Sequence, residues 1–131
     1  MMNGVNQISI IGMGLMGASL AAALKDSAYS GKVIGWARRD EVCEAAKRSG
    51  WFDSVMADAS AAVAEADLVV FCLPVQAIGE MVLELMSNFK PGAVVTDVGS
   101  TKLALVEALT MRLAEGSVSF VGSHPICGSE K

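Results

Sequence analysis

The sequence predicts an α/β protein built on a doubly wound, mainly parallel sheet of six strands with helices on both faces. Short β-rich apolar runs of about five or six residues alternate from end to end with longer alanine- and methionine-rich stretches at helical spacing, the pattern of repeated βαβ units. The run Leu68-Val69-Val70-Phe71-Cys72-Leu73 is apolar on both faces, as a central parallel strand covered on each side must be. In the stretch that follows, Ile78, Met81, Val82, Leu85, Met86 and Phe89 recur on one helical face with Glu80 and Glu84 opposite, so that helix packs on a sheet.

Taken in order, strands are expected at Gln7–Ile11, Lys32–Trp36, Ser54–Met56, Leu68–Leu73, Val94–Asp97 and Val118–Val121. Helices are expected at Leu15–Asp26, Glu41–Ser49, Ser60–Glu65, Ala77–Asn88 and Lys102–Glu115, with Asp40 as the N-cap of the second. Pro74 ends the fourth strand and Pro91-Gly92 opens the turn into the fifth.

The 131 residues amount to one domain, at ~100–200 residues per domain. With 53% apolar and 18% charged residues, the chain is too hydrophobic for a disordered segment and can bury a core without disulfides or metal. The net charge is −4 and the basic residues are scattered, which argues against nucleic acid as a partner. Cys43, Cys72 and Cys127 form no C-x-x-C pair and read as reduced thiols of a cytoplasmic protein. The apolar stretch Ile8–Leu24 is interrupted by Gly12, Gly14 and Gly17 and lacks a basic residue before it, so neither a signal peptide nor a membrane span is expected.

The first strand runs directly into Gly12-Met13-Gly14-Leu15-Met16-Gly17, a G-x-G-x-x-G loop that opens the first helix. In that pattern Gly12 makes the tight turn, Gly14 lets the backbone approach a pyrophosphate, and Gly17 lets helix and strand pack closely. The helix N-terminus then supplies unpaired N–H groups and a positive dipole end to a bound dianion. The chain is thus expected to be a dinucleotide-binding domain of Rossmann type across residues 1–131. An acid that would accept bonds from the ribose of NAD is absent at the end of the second strand, which continues as Ala37-Arg38-Arg39. Two guanidinium forks there favour a ribose 2′-phosphate, hence NADP, with NAD as second choice; the other reading leaves both arginines solvated and gives the ribose to Asp40 or Glu41.

His124, the sole histidine, follows the sixth strand in Gly122-Ser123-His124-Pro125-Ile126-Cys127-Gly128-Ser129-Glu130. Ligands of doubly wound sheets sit outside the carboxyl ends of the strands, so this segment and Asp97-Val98-Gly99-Ser100-Thr101-Lys102 are expected to face one crevice. With the opening loop, these two segments resemble the prephenate/arogenate dehydrogenase family of tyrosine biosynthesis over essentially the whole chain.

The resemblance implies oxidative decarboxylation of a cyclohexadienyl acid, prephenate or arogenate, with hydride passing to the nicotinamide. It implies that His124 withdraws the proton of the substrate 4-hydroxyl, that Ser100 supports this histidine and the nicotinamide end, and that Leu73-Pro74 lie along the cofactor. Gly12, Gly14, Leu15, Met16, Gly17, Arg38, Arg39 and Ser100 complete the expected cofactor contacts. Cys127 stands where the family more often has a small apolar residue. The resemblance also implies a helical C-terminal domain, absent from this chain, that binds the substrate carboxylate and forms a homodimer; alone, these residues are expected to turn over poorly. A β-hydroxyacid-type dehydrogenase or reductase shares Gly14-Leu15-Met16-Gly17 but leaves His124-Pro125 unexplained, and a non-catalytic dinucleotide-sensing domain needs neither Ser100 nor His124.

Overall fold

The computed structural model describes residues 4–98 and 103–122. The elements follow one another as β1 (Gln7–Ile11), α1 (Leu15–Asp26), β2 (Lys32–Trp36), α2 (Asp40–Ser49), β3 (Ser54–Val55), α3 (Ala59–Val63), β4 (Leu68–Phe71), α4 (Val75–Leu85), β5 (Val94–Asp97), α5 (Leu103–Ala114) and β6 (Ser119–Val121). The strands form one sheet in the order β3-β2-β1-β4-β5-β6, and every pairing is parallel. This is the expected Rossmann-like α/β fold.

Several boundaries differ from expectation for local reasons. Asp58 caps α3, accepting from the Ser60 amide (3.4 Å) and the Ser60 hydroxyl (2.7 Å), so that helix starts at Ala59. Pro74, with φ −56° and ψ 145°, is itself the N-cap of α4, and the helix begins at once at Val75 rather than at Ala77. The Val118 amide donates to the Leu113 carbonyl and is thereby tied back to the last turn of α5, and β6 starts at Ser119. Arg39 is the N-cap of α2 and makes no side-chain cap bond; Asp40 is the first helical residue, not the cap. There its charge still opposes the positive end of the helix.

The core has two sides, as a parallel sheet requires. On one, Phe71, Ile78, Val82, Leu85, Val95, Leu109, Leu113 and Phe120 pack together, with the Phe71 and Phe89 rings edge to face at 6.4 Å. On the other, Ile8, Ile10, Ala21, Leu24, Val33 and Val70 form a second cluster. The predicted stripe of α4 is the buried one, while Glu80 and Glu84 are exposed.

The chain winds outward from β1 to β2 and β3, then crosses back to β4 and outward to β5 and β6. The carboxyl ends of β1 and β4, in register at Ile11 and Phe71, therefore flank the point where the winding reverses. At the opposite edge, Asp67 joins the strand starts: its carboxylate accepts from the amides of Asn6 (2.7 Å) and Gln7 (3.1 Å) and pairs with Lys90 (2.5 Å). The Lys90 bond, reinforced by those amides, holds the Asp67 carboxyl below its ordinary value.

A depressed folded-state value means that Asp67 stabilises the fold above the unfolded carboxyl value of ~3.9 and loses that contribution as acid protonates it. Asp67→Asn should therefore lower stability near neutral pH by ~1–3 kcal/mol and flatten the fall in stability below about pH 4. Urea unfolding across the acid range measures both.

Candidate cofactor site

Backbone geometry at the end of β1 builds the site. The Gly12 amide donates to the Trp36 carbonyl of β2 (2.7 Å), while the Ile11 carbonyl accepts from the Cys72 amide after β4 (2.8 Å). Gly12 is thus clamped between two neighbouring strands at φ +100°, a conformation that a side chain disfavours. A Cβ there would lie 2.5 Å from the Cys72 carbonyl oxygen and 2.8 Å from Leu73 Cδ2. Gly17, buried in the first turn of α1, is excluded from bearing a side chain by a different contact, because its Cβ would overlap the Gly12 carbonyl. These two glycines are explained inside the protein.

Gly14 is not. It is the N-cap of α1 with φ −72° and ψ −155°, and a Cβ on it would meet nothing within 4 Å. No side chain caps the helix and no acid occupies its first turn, so the amides at this end face an open space without a neutralising partner. Leu15 and Met16 beside it are 86% and 52% exposed, which leaves apolar surface bare around the loop.

At the end of β2, Arg38 reaches across to α4, where its Nη2 lies 3.6 Å from Met81 Sδ. Arg39 remains at the entry to α2 with its Nε 3.5 Å from Glu41 Oε2, both side chains well exposed. A cavity of about 200 Å³ between α2 and β3 is lined by Trp36, Arg38 and Asp40 among others. A second cavity, about 270 Å³, opens between α1 and α2 and is walled by Met13, Gly14, Glu41, Val42, Trp51 and Phe52. Gly35 makes room for two of its walls, since a Cβ there would collide with both Met13 and Phe52.

After β4, Leu73 is half-buried against the core beside Gly12, and Pro74 that follows it is exposed. The structure thus brings Gly12, Gly14, Leu15, Met16, Gly17, Leu73 and Pro74 to one edge of the sheet, with Arg38 and Arg39 at its β2 side. Ser100, His124 and Cys127 lie outside the described residues.

Two contributors were not singled out from sequence. Asp97 is fully buried at the carboxyl end of β5, in register with Phe71. Burial, followed by the Asp97 charge, pushes the Cys72 thiol up to about 12, so this cysteine stays protonated beside the loop. A lone acid ending the β-rich run Val94-Val95-Thr96 was the available signal. Met81 read as core filler, and nothing in a helical stripe marks which sulfur will meet an arginine. Glu41 was weighed only as an alternative to the arginines.

The family profile described as prephenate dehydrogenase, nucleotide-binding domain, matches residues 20–131. The chain belongs to the prephenate dehydrogenase family. The prephenate dehydrogenase of Lactococcus lactis subsp. cremoris is 33% identical over 128 residues, 97% of this chain and 36% of that protein. Among solved structures, a prephenate dehydrogenase from A. aeolicus in complex with hydroxyphenyl propionate and NAD+ superposes with a TM-score of 0.84 at 31% identity, covering 100% of this chain and 45% of its own. Synechocystis arogenate dehydrogenase gives a TM-score of 0.80 at 34% identity over 95% of this chain and 42% of its own. The chain therefore spans less than half the length of these family members.

Gly17 and Gly14 should separate on substitution. Gly17→Ala must displace the Gly12 carbonyl and is expected to cost ~2–4 kcal/mol, whereas Gly14→Ala enters open space and should leave the melting temperature within about 2 °C of wild type. Calorimetric melting of the two variants checks this.

Proposed function

We propose that this chain is the cofactor-binding part of a dehydrogenase that oxidatively decarboxylates prephenate or arogenate, and that its cofactor is NADP, with NAD accepted less well. The observation that carries the reading is Gly14: nothing inside the protein requires a glycine there, while a pyrophosphate lying on the helix end would. The residues fit a dinucleotide. Uncapped amides at the start of α1 would bind the pyrophosphate, the apolar surface of Leu15 and Met16 would be covered by it or by substrate, and Leu73-Pro74 would border the nicotinamide end. Arg38 and Arg39 supply the charge-assisted donors that a 2′-phosphate needs.

The bound nicotinamide would supply the hydride acceptor. The chain's own share of the chemistry falls to positioning and to one proton. β5 and β6 end at Asp97 and Val121, on the same sheet edge as Gly12, and Ser100 and His124 follow them in sequence. His124 would accept the proton of the substrate 4-hydroxyl, with Ser100 orienting the imidazole; general-base help of this kind contributes ~10²–10⁴ in rate.

Recognition of the substrate carboxylate, and dimerisation, are assigned to a helical portion beyond these residues, consistent with the greater length of the relatives. Turnover by the 131 residues alone should be poor, because a base without a positioned substrate forfeits most of the rate enhancement. Among the described residues, no helix is long and apolar enough to cross a membrane.

Calorimetric titration with NADP and with NAD tests the cofactor assignment. NADP should bind several-fold more tightly, and Gly14→Ala should weaken both by about tenfold or more while the fold persists. NAD binding at least as tightly as NADP would overturn the roles given to Arg38 and Arg39.

A further inference from the structure

The entry to α2 carries two acids in consecutive positions, and the structure sends them to different places. Asp40 lines the cavity on the β3 side, together with Trp36 and Arg38. Glu41 lines the cavity that Gly14 and Met13 also wall, next to the glycine loop. The same Glu41 carboxylate lies 3.5 Å from Arg39 Nε. One acid therefore shares space with the pyrophosphate-binding turn and also neutralises one of the two arginines available to a 2′-phosphate.

We infer that Glu41 sets the margin between the two cofactors, acting as a specificity-determining residue that keeps the chain from excluding NAD. The inference rests on the dinucleotide reading of the glycine loop given above. The adenosine ribose is joined directly to the pyrophosphate, so a diphosphate on the Gly14 turn brings the ribose to the end of β2 and the first turn of α2. With NADP, the 2′-phosphate must recruit Arg39 in competition with Glu41 and tolerate a carboxylate of its own sign nearby. With NAD, the same carboxylate can accept a bond from a free ribose hydroxyl, the role that an acid at the end of β2 would otherwise fill. Arg38, held against Met81 on the other side, is free of that competition and keeps the balance in favour of the phosphate.

Glu41→Gln retains size and hydrogen-bonding capacity and removes only the charge; its side chain is 73% exposed, so the fold is not at stake. Exposed ion pairs are worth little, and the effect should be correspondingly modest: the ratio of the NAD to NADP dissociation constants should widen by about 2–5-fold, through tighter NADP and weaker NAD binding. Glu107→Gln is the matched control, the same loss of one charge at an exposed position of α5 away from the end of β2, and should leave the ratio unchanged. Calorimetric titration of wild type and both variants with each dinucleotide reads this. An unchanged or narrowed ratio for Glu41→Gln, or an equal shift for Glu107→Gln, overturns the role of Glu41 while leaving the cofactor reading intact. Wild-type protein that binds neither dinucleotide overturns both.

Discussion

The structure depends on the contact between the first turn of α1 and the carbonyl of Gly12. That carbonyl belongs to a residue already fixed from both sides, by a bond to Trp36 on β2 and by the close passage of Cys72 after β4. Gly17 packs against it with no room for a methyl group. The axis of α1 is therefore aimed by backbone packing alone, and its amino end points out of the sheet where the winding direction reverses. A larger residue at either position would tilt the helix and carry its field away from the crevice.

The electrostatics of the crevice follow from what is left out as much as from what is present. No acid occupies the first turn of α1 and no side chain caps it, whereas α2 begins with Asp40 and Glu41. One helix end is kept attractive to anions and the neighbouring one is partly neutralised. Cys72 beside the loop stays protonated through burial and the charge of Asp97, so it adds no negative charge where a diphosphate would lie. Arg38 and Arg39 differ in the same spirit: one lies along Met81 and the other is tied to Glu41.

Much of this was legible in the residues. A mainly parallel sheet could be read from the doubly apolar run at Leu68–Leu73, because only a strand covered on both faces dispenses with polar residues. The loop could be read from the spacing of Gly12, Gly14 and Gly17, each of which answers to a separate steric or electrostatic demand. What escaped were matters of a single bond. Asp40 looked like a cap, yet the helix starts at Asp40 itself, with Arg39 in the capping position at extended backbone angles and no side-chain cap bond. Arg39 finds its partner in the first turn of α2, but that of Arg38 comes from α4, and no local pattern announces a contact across 43 positions of sequence.

The central claim is that the amides at the start of α1 grip a diphosphate. Titrating isotopically labelled protein with NADP, and following backbone amide resonances by NMR, addresses it directly. Gly14, Leu15 and Met16 should show the largest saturable shifts, accompanied by Arg38 and Arg39, while residues at the opposite edge around Asp67 remain still. Saturable shifts centred on that opposite edge, with Gly14 to Met16 unmoved, would contradict the account.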